Sequence, residues 1–307
     1  MPLLHPQLEA FIAVIEEGSF ERAAKRLFIT PSALSQRIKA LEERLGTALV
    51  RRETPAAATS AGEKLLMRAN AMRILEGEAL SDFAGFSSAA PQPAVQRLPI
   101  LINNDSLATW FPEVLVEFAA QEPVAFDIRT DDQDHALESL KNGSVVAVVT
   151  SSASPVPGAR VRALGAMRYV AVASPEFGRR IAAAPERLTE FVREAPMLAF
   201  DRKDELQLRF LDAIGIDRGD FKSVVHYMPS PTAMIEASAH GLGWSMAPVS
   251  LAKPWLDRGE AVVVAPDCPV DVYLYWQCAS IRSSLLERLT AVVLRASARW
   301  LEPIEKR

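Results

Sequence analysis

The stretch of sequence that decides the fold lies near the amino terminus and reads, from Phe20 to Gly46, FERAAKRLFITPSALSQRIKALEERLG. Thr30 is a favourable N-cap residue and Pro31 suits the first helical position, so a helix is predicted to begin there and to end before Gly46. A shorter helix, capped by Ser19, precedes it. Because only about two to four residues separate the two helices, they must cross steeply, which is the geometry of a helix-turn-helix.

The neighbouring sequence completes a small domain and joins it to the rest of the chain. An earlier helix is predicted from apolar residues at helical spacing, namely Leu8, Phe11, Ile12 and Ile15. Residues 46–59 predict a short β excursion, a wing. Ser60 and Glu63 form a capping box that starts a helix running to about Phe83, and the apolar seam of this helix suits a dimer contact. Residues 87–93, SSAAPQP, form the one clear linker.

Strand and helix patterns alternate beyond the linker. Strands are expected at residues 98–103, 125–130, 145–150, 169–173, 197–200, 224–228, 244–247, 262–264 and 271–276, with helices near 107–121 and 133–142 and a final helix from 283 to about 301. This alternation predicts mainly parallel sheets with helices on both faces, in two lobes. We therefore expect a winged helix-turn-helix at 1–60, a linker helix and hinge at 61–92, and an α/β domain at 93–307, with lobe one at 93–163 plus 267–307 and lobe two at 164–266.

Composition limits the class of protein. The 307 residues are 49% apolar and 23% charged, so the chain can bury a sizeable core without disulfides. No apolar run approaches the roughly 18 residues of a membrane span, and the amino terminus lacks the basic region of a secretory signal. We expect a cytoplasmic protein with no membrane partner. Cys268 and Cys278 lack the spacing of a zinc knuckle or a disulfide framework.

The net charge of −4 is unevenly distributed along the chain. Residues 22–52 hold eight Lys and Arg residues against two Glu residues, a local charge of +6, whereas residues 1–21 hold four acids and no Lys or Arg. A basic module attached to an acidic body predicts that one end of the chain binds a polyanion. A solvated charged face is the simpler alternative.

The second helix of the pair presents residue types that read DNA bases. Its apolar stripe faces inward, and its outer, N-terminal surface carries five polar residues, Ser32, Ser35, Gln36, Arg37 and Lys39. In the major groove, where such a helix lies, Gln bonds adenine and Arg bonds guanine. Three more arginines, Arg22, Arg51 and Arg52, suit phosphates, which add affinity and salt dependence but little sequence information. A three-helix bundle with a polar exterior is the alternative.

These residues also carry a family resemblance. FERAAKRL at residues 20–27, TPSALSQRIKALE at 30–42 and LG at 45–46 closely resemble the LysR-type transcriptional regulators. The resemblance covers the whole chain and implies an N-terminal winged helix-turn-helix, a dimerising linker helix and a two-lobed, periplasmic-binding-protein-like α/β effector domain. It implies a homodimer or homotetramer on double-stranded DNA, and RNA polymerase as a further partner if the protein is an activator. The implied base and phosphate contacts are Thr30, Pro31, Ser32, Ser35, Gln36, Arg37 and the wing arginines.

A second resemblance narrows the group within the family. NNDSLATW at residues 103–110, LGAMRY at 164–169 and ASPEF at 173–177 look like the regulators, called the ArgP or LysG group, that sense lysine and arginine and control basic amino acid export. Asn104 departs from the alanine expected there. The resemblance implies a lysine or arginine effector and no cofactor. An architectural or replication-origin DNA-binding protein, an inhibitor of initiation without amino acid control, remains the alternative.

The residues of this stretch give an independent reason for amino acid binding. Asp105 and Ser106 open a predicted helix after a strand, so free amides near Leu107 and Ala108 face the cleft at the strand ends. Such amides suit an α-carboxylate. The cationic groups of the ligand need acids, and three of them follow predicted strands, Asp105, Asp132 and Asp201.

Lesser candidates complete the predicted effector site, and most candidates have a simpler alternative. The lesser candidates are His135, Thr150 and, within the resembling stretch, Trp110. The alternatives are helix capping for Asp105 and Asp132, pairing with an arginine for Asp201, a helix-surface position for His135 and a strand-end cap for Thr150.

Enzymatic alternatives have little support in the sequence. GWSMA at residues 243–247 imitates a nucleophile elbow, but its last position is Ala and a continuing strand fits better. The four histidines are scattered without metal-ligand spacing, and no glycine-rich nucleotide motif occurs. We therefore expect a protein that is not an enzyme and that holds no metal and no cofactor.

Overall fold

The computed structural model of the chain describes residues 4–83, 95–130, 133–221 and 223–304, and at 133–135 it describes the backbone alone. Three helices pack together at the amino-terminal end, α1 (Pro6–Glu17), α2 (Phe20–Arg26) and α3 (Pro31–Leu45). Their inner faces share a core of their own, which includes Phe11 and Leu34. Only residues 27–30 join α2 to α3, so the predicted helix-turn-helix is confirmed.

A small wing follows α3. Its two strands, β1 (Val50–Arg51) and β2 (Ala57–Ala58), pair antiparallel. Glu42 of α3 holds the first strand, because its Oε1 accepts hydrogen bonds from the Leu49 and Val50 N–H groups at 2.8 and 3.2 Å. A carboxylate on α3 thus fixes where the wing begins.

A long helix, α4 (Ser60–Phe83), leaves the wing. Thr59 caps it, since the Thr59 Oγ1 accepts a hydrogen bond from the Gly62 N–H at 3.0 Å. The predicted capping box at Ser60 and Glu63 is therefore wrong by one residue. Thr59 and Ser60 both carry a capping hydroxyl, and the sequence pattern alone does not choose between them.

Beyond α4 the α/β domain is built from two groups of elements, the two lobes. The first group comprises β3 (Gln96–Leu101), α5 (Asn104–Ala108), α6 (Phe111–Ala119), β4 (Val124–Arg129), α7 (Gln133–Lys141) and β5 (Ala147–Thr150). A long strand, β6 (Ala159–Ala173), leads to the second group, which comprises α8 (Pro175–Ala183), α9 (Leu188–Glu194), β7 (Met197–Ala199), α10 (Leu206–Ala213), β8 (Val225–Tyr227), α11 (Pro231–Ala239), β9 (Trp244–Pro248), α12 (Val249–Asp257) and β10 (Val262–Val263). The chain returns along β11 (Val270–Ala279) and then forms α13 (Ser284–Trp300).

One sheet links the two lobes, and among the described residues it has nine strands in the order β4-β3-β5-β11-β6-β9-β7-β8, with β10 paired to β6. The outer strands of both lobes are parallel, as the alternation of strands and helices predicts. β6 and β11 run antiparallel through the middle, and their register shifts between Leu274 and Tyr275. Opposite this shift lies Gly165, with φ +143°. The two strands therefore form the connection between the lobes.

The cleft between the lobes lies where the parallel strands end. α5 follows β3 of the first lobe, α11 follows β8 of the second, and the two helices contact each other. The carboxyl ends of the strands of both lobes therefore face a common space, which is the usual position of a ligand site in α/β proteins.

Two elements differ most from their predicted extents. The helix expected near 107–121 is broken into α5 and α6, with Thr109 and Trp110 between them. The strand expected at 169–173 begins much earlier, at Ala159. The first five residues of β6 are half-buried or exposed and include two arginines, so they lack the apolar pattern by which a buried strand is recognised.

Among residues 4–83, 95–130, 133–221 and 223–304, no helix is both long enough and apolar enough to cross a bilayer.

Candidate functional site

The outer face of α3 is exposed where a recognition helix meets DNA. Leu34, Ile38 and Leu41 point into the helical core, whereas Ser32, Gln36 and Lys39 are exposed on the opposite side. These three polar residues follow one another at helical spacing, so they form a single stripe. The stripe, which we call the reading face, has the donors and acceptors that base edges require.

Two predicted base-contact residues lie at the margins of the reading face. Ser35 and Arg37 are half-buried and lie on opposite flanks of α3. The Arg37 guanidinium acts on Glu9 of α1: partial burial and the neighbouring Glu76 raise the pKa of Glu9, and Arg37 opposes that rise. Arg37 therefore interacts electrostatically with α1 as well as flanking the reading face.

The residues at the start of α3 support the helix. The Thr30 Oγ1 accepts a hydrogen bond from the Ala33 N–H at 3.1 Å, which is the predicted N-cap, and Pro31 occupies the first turn. Both residues are exposed next to Ser32. They hold the helix end in place and remain accessible to a partner.

The three arginines predicted to contact phosphates are exposed. Arg51 and Arg52 lie on the wing, and the Arg52 guanidinium is 5.3 Å from the centre of the Phe20 ring. Arg22 on α2 donates to the carbonyl of Glu17, and its side chain is 65% exposed. All three guanidinium groups are thus exposed, as a contact with a phosphate backbone requires.

The start of α5 differs in one respect from expectation. Its N-cap is Asn103, and the Leu107 N–H is bonded to the Asn103 carbonyl at 3.1 Å. The expectation of a free amide at Leu107 is therefore wrong. The helix begins at Asn104, earlier than predicted, so the free amides belong to its first three residues.

Among the described acids of the cleft, Asp105 has the most strongly shifted pKa. Its side chain is partly buried, and its Oδ2 accepts a hydrogen bond from the Tyr169 hydroxyl at 2.6 Å. Burial raises the pKa of Asp105 to about 6, the Tyr169 bond opposes this rise, and the negative charge of Asp204 adds to it. Because Asp105 lies on α5 and Tyr169 on β6, the bond joins the first lobe to the connecting strand.

Sequence reasoning missed two residues of this cluster. Tyr169 is fully buried, and burial together with Asp105 raises the pKa of its hydroxyl. Asp204, in the loop before α10, accepts hydrogen bonds from the Phe200 and Leu206 N–H groups at 2.9 and 3.0 Å. A buried tyrosine needs a partner for its hydroxyl, which was the available signal for Tyr169. Asp204 does not directly follow a strand, so no strand-end rule selects it.

Three buried polar atoms lie around the first turn of α5 without a hydrogen-bond partner in the described parts of the chain, the Asn103 Oδ1, the Ser106 Oγ and the Trp110 Nε1. Ser106 and Trp110 are fully buried, and the Trp110 ring packs edge-on against Phe111 at 5.3 Å. An unpaired buried polar group costs about 1–3 kcal/mol. The region is therefore suited to a polar ligand. The half-buried Leu107 packs against the core of the domain.

The remaining predicted effector residues differ in placement. The Thr150 Oγ1, at the end of β5, accepts from the Ser152 N–H at 3.2 Å, and the Asp201 Oδ1 accepts from the Lys203 N–H at 2.7 Å. Thr150 thus acts as a strand-end cap and Asp201 shapes the loop after β7. Asp132 lies outside the described residues. The backbone of His135 belongs to α7, and its side chain lies outside the described part.

Ser245, the central residue of the GWSMA stretch that resembles a nucleophile elbow, lies inside the sheet. It is fully buried on β9, and its Oγ lies 2.8 Å from the Ser238 Oγ, so no substrate reaches it. Across the described residues, no three His, Cys, Asp or Glu side chains are grouped closely enough to hold a metal ion.

Two family models match this chain, one over the helix-turn-helix end and one over the α/β domain. Residues 5–63 match the model described as "Bacterial regulatory helix-turn-helix protein, lysR family". Residues 92–298 match the model described as "LysR substrate binding domain". The two matches together cover most of the chain, so the family assignment extends over the winged domain and both lobes.

Relatives agree over nearly the full length. The "Lysine export transcriptional regulatory protein LysG" of Corynebacterium glutamicum is 39% identical over 297 residues, which cover 97% of this chain and 99% of the relative. The crystal structure of ArgP from Mycobacterium tuberculosis superposes with a TM-score of 0.79 at 39% identity, over 98% of this chain and 99% of that one.

A third similarity is to a structure with a ligand. Full-length LysG of Corynebacterium glutamicum with bound effector Arg superposes with a TM-score of 0.72 at 36% identity, over 98% of this chain and 100% of that one. Relatives named as transcriptional regulators do not favour a replication-origin or architectural protein, nor an enzyme. The chain belongs to the LysR family of bacterial helix-turn-helix transcriptional regulators.

Proposed function

We propose that this regulator binds lysine or arginine in the cleft between its lobes and that the bound amino acid changes how the protein binds DNA. The observation that carries the proposal is Asp105, a partly buried carboxylate at the strand ends of the first lobe, which is bonded to Tyr169 and whose pKa is raised further by the charge of Asp204. Two acids in one cleft favour a cation, because charge-assisted hydrogen bonds to a desolvated carboxylate are strong.

The unpaired Ser106 hydroxyl supports the same site. It is fully buried beside Asp105 and has no hydrogen-bond partner among the described residues. A free amino acid carries donors and acceptors that satisfy such a group. One relative adds support, since LysG of Corynebacterium glutamicum is named for lysine export and its structure carries arginine as its effector.

The hydrogen bond between Asp105 and Tyr169 links ligand binding to the arrangement of the lobes. A cation that binds the Asp105 carboxylate competes with the Tyr169 hydroxyl for it. Tyr169 lies on β6, the strand that passes from one lobe to the other. The ligand then binds one arrangement of the lobes better than another, which is the condition for a shift in population.

For the DNA-binding end, we propose base contacts by the reading face, with Thr30, Pro31, Ser35 and Arg37 at its margins, and phosphate contacts by Arg22, Arg51 and Arg52. We propose that the protein works in the cytoplasm as a homodimer or homotetramer. The exposed Met72 and Leu75 on α4 support this, since they lie three residues apart on one helix face. If it acts as an activator, RNA polymerase is a further partner.

Substitutions on α3 and on the wing are expected to act differently. Gln36→Ala should change which sequences are bound, at about 1–3 kcal/mol for the affected base pair, because a bidentate base contact is lost. Arg51→Ala should weaken binding to all duplexes alike and lower the salt slope by about one, because it removes a phosphate contact.

Selection of duplexes from a random pool, followed by titration at several salt concentrations, measures both effects. Lys253→Ala is a suitable control, because it removes an exposed cation far along the chain on α12. If Gln36→Ala and Arg51→Ala change the selected sequence and the salt slope in the same way, the assignment of roles is wrong.

Thermal unfolding with matched ligands tests the proposed effector. Arginine and lysine are compared with citrulline and norleucine, which have similar shapes but no side-chain cation. A ligand at 100 times its Kd stabilises the folded state by about 2.7 kcal/mol, and we expect a midpoint shift of roughly 5 °C or more. Equal shifts with the charged and neutral ligands, or none with any of the four, would contradict a cation-specific cleft.

A further inference from the structure

One residue of the helix-turn-helix has an unfavourable backbone conformation. Phe28 has φ +53°, and within the described ranges it is the only residue other than glycine with a positive φ. Its N–H donates to the Lys25 carbonyl at 3.2 Å, and the Ile29 N–H donates to the Ala24 carbonyl at 3.0 Å. These bonds close the end of α2. Glycine is the usual residue at such a helix end, since a β-carbon is disfavoured in the left-handed region.

The two neighbouring helices end on glycine, as is usual for a left-handed C-terminal residue. Gly18 ends α1 with φ +59° and Gly46 ends α3 with φ +69°. Two of the three helices of this small domain therefore end on glycine in the same conformation. Phe28 occupies the equivalent position of α2, where glycine would relieve the backbone.

The side chain of Phe28 does not compensate for this strain within the subunit. It is 96% exposed, more than any other large apolar side chain in the described part of the chain. A phenylalanine ring gains free energy only when it leaves water. Neither the backbone nor the core of the domain therefore explains why an aromatic residue stands here.

The position of Phe28 indicates what covers it. It precedes the N-cap Thr30 by two residues, so their Cα atoms lie at most about 7.6 Å apart. Exposed Lys25 precedes Phe28 by three residues, and Ser32 of the reading face follows it by four. Among the described residues of this domain, the other exposed large apolar residue is Leu45, which lies at the far end of α3, about 20 Å along the helix from Pro31.

We propose that Phe28 is a DNA-contact residue whose ring packs on apolar atoms at the edge of the operator beside α3, either thymine methyl groups or deoxyribose carbons. Phenylalanine is a suitable partner for a thymine methyl group. The contact continues the reading face past the helix end. The strained backbone is then retained because it holds the ring out towards the duplex.

The test measures stability and DNA binding on the same full-length variants, Phe28→Gly and Phe28→Leu, with Leu45→Ala as the control for loss of an exposed apolar side chain. The duplex is the one that the wild-type chain enriches from a random pool. We expect Phe28→Gly to raise the midpoint of thermal unfolding by a few degrees and to weaken binding to this duplex about tenfold. Phe28→Leu should retain most of the affinity, and Leu45→Ala should retain all of it.

Two results would overturn the proposal. One is a Phe28→Gly variant that binds the duplex as tightly as the wild type. The other is a Phe28→Gly variant whose weaker binding is accompanied by a changed oligomeric state in gel filtration, since a second copy of the chain would then cover the ring. A duplex with uracil in place of thymine identifies the atoms contacted. If the wild type and Phe28→Gly bind that duplex equally, the ring contacts thymine methyl groups, and a persisting difference assigns it to the sugars.

Discussion

Asp105→Asn is expected to abolish the response to lysine and arginine and to leave the fold intact. The amide keeps the shape of the carboxylate and still accepts the bond from the Tyr169 hydroxyl, which is 2.6 Å long in the wild type. It loses the charge that a cation needs. Removing one partner of a buried charge pair costs about 2–5 kcal/mol, so affinity for arginine should fall at least about 30-fold.

Calorimetric titration of the variant with arginine measures this effect. Asp212→Asn is the matched control, because Asp212 pairs with Arg218 on the surface and both side chains are about half exposed. The control should bind arginine like the wild type. An Asp105→Asn variant with wild-type affinity would show that the cation binds elsewhere.

Asp105→Asn weakens arginine binding but should stabilise the folded chain in the absence of ligand. The pKa of Asp105 is raised from 3.8 to about 6, so the folded chain holds this proton more tightly than the unfolded chain does. The stability of the wild type should therefore fall as pH rises from about 4 to about 6, and the loss is complete above that range. Asp105→Asn removes this cost, and the variant should unfold at a higher temperature than the wild type at pH 7.5. Unfolding curves of both chains between pH 4 and pH 8 measure the difference, and identical pH profiles would contradict it.

Gly143→Ala is expected to uncouple the effector domain from α4. Gly143 has φ +76°, and a β-carbon there would lie 2.7 Å from the Met67 Cβ and closer still to the Met67 Cα. Its carbonyl also accepts a hydrogen bond from the Asn70 Nδ2 at 2.6 Å. Because the obstacle is the backbone of α4, no side-chain rotation relieves it, and the loop must move off the helix.

α4 contacts the effector domain at two further places besides the Gly143 loop. The Glu78 Oε1 of α4 accepts hydrogen bonds from the Ser283 and Ser284 hydroxyls and from the Leu285 N–H, at 3.0, 3.0 and 2.6 Å, at the start of α13. The Gln96 Nε2 donates to the Ile74 carbonyl at 2.9 Å. α4 thus contacts the effector domain at several points, and we propose that a change in the lobes reaches the DNA-binding domain through it.

Gly158→Ala provides the control for Gly143→Ala. Gly158 has φ +82°, but a β-carbon there meets nothing within 4 Å, so only the backbone strain of about 1–2 kcal/mol is expected. Arginine should still bind both variants. It should alter DNA binding by Gly158→Ala and fail to alter DNA binding by Gly143→Ala. If the Gly143→Ala chain keeps the full DNA response, the contact between this loop and α4 carries no signal.

The sequence predicted elements well where local chemistry decides the structure. Thr30 and Pro31 mark the start of α3 because a cap and a proline act within one turn, and Gly46 marks its end for the same reason. The first half of β6 was missed because it carries exposed arginines and gains its place by pairing with β11. That pairing joins residues more than a hundred positions apart, which no local pattern reveals.

The cleft likewise contains residues that local sequence predicts and residues that only tertiary packing brings there. Asp105 was predicted because it follows a strand directly and opens a helix. Its partner Tyr169 comes from the strand that connects the lobes, and Asp204 is held in its loop by two backbone N–H groups. Which side chains meet Asp105 depends on how the two lobes close, so that information lies in tertiary packing rather than in sequence spacing.

The most direct test of amino acid control is the binding of the full chain to its selected duplex with and without saturating arginine. Fluorescence anisotropy gives the affinity and footprinting gives the protected region, and citrulline serves as the uncharged control. We predict that arginine changes the affinity at least about fivefold or alters the protected region, that citrulline changes neither, and that the Asp105→Asn chain responds to neither. Identical affinity and identical protection by the wild type with and without arginine would contradict the proposal that a basic amino acid in the cleft controls DNA binding.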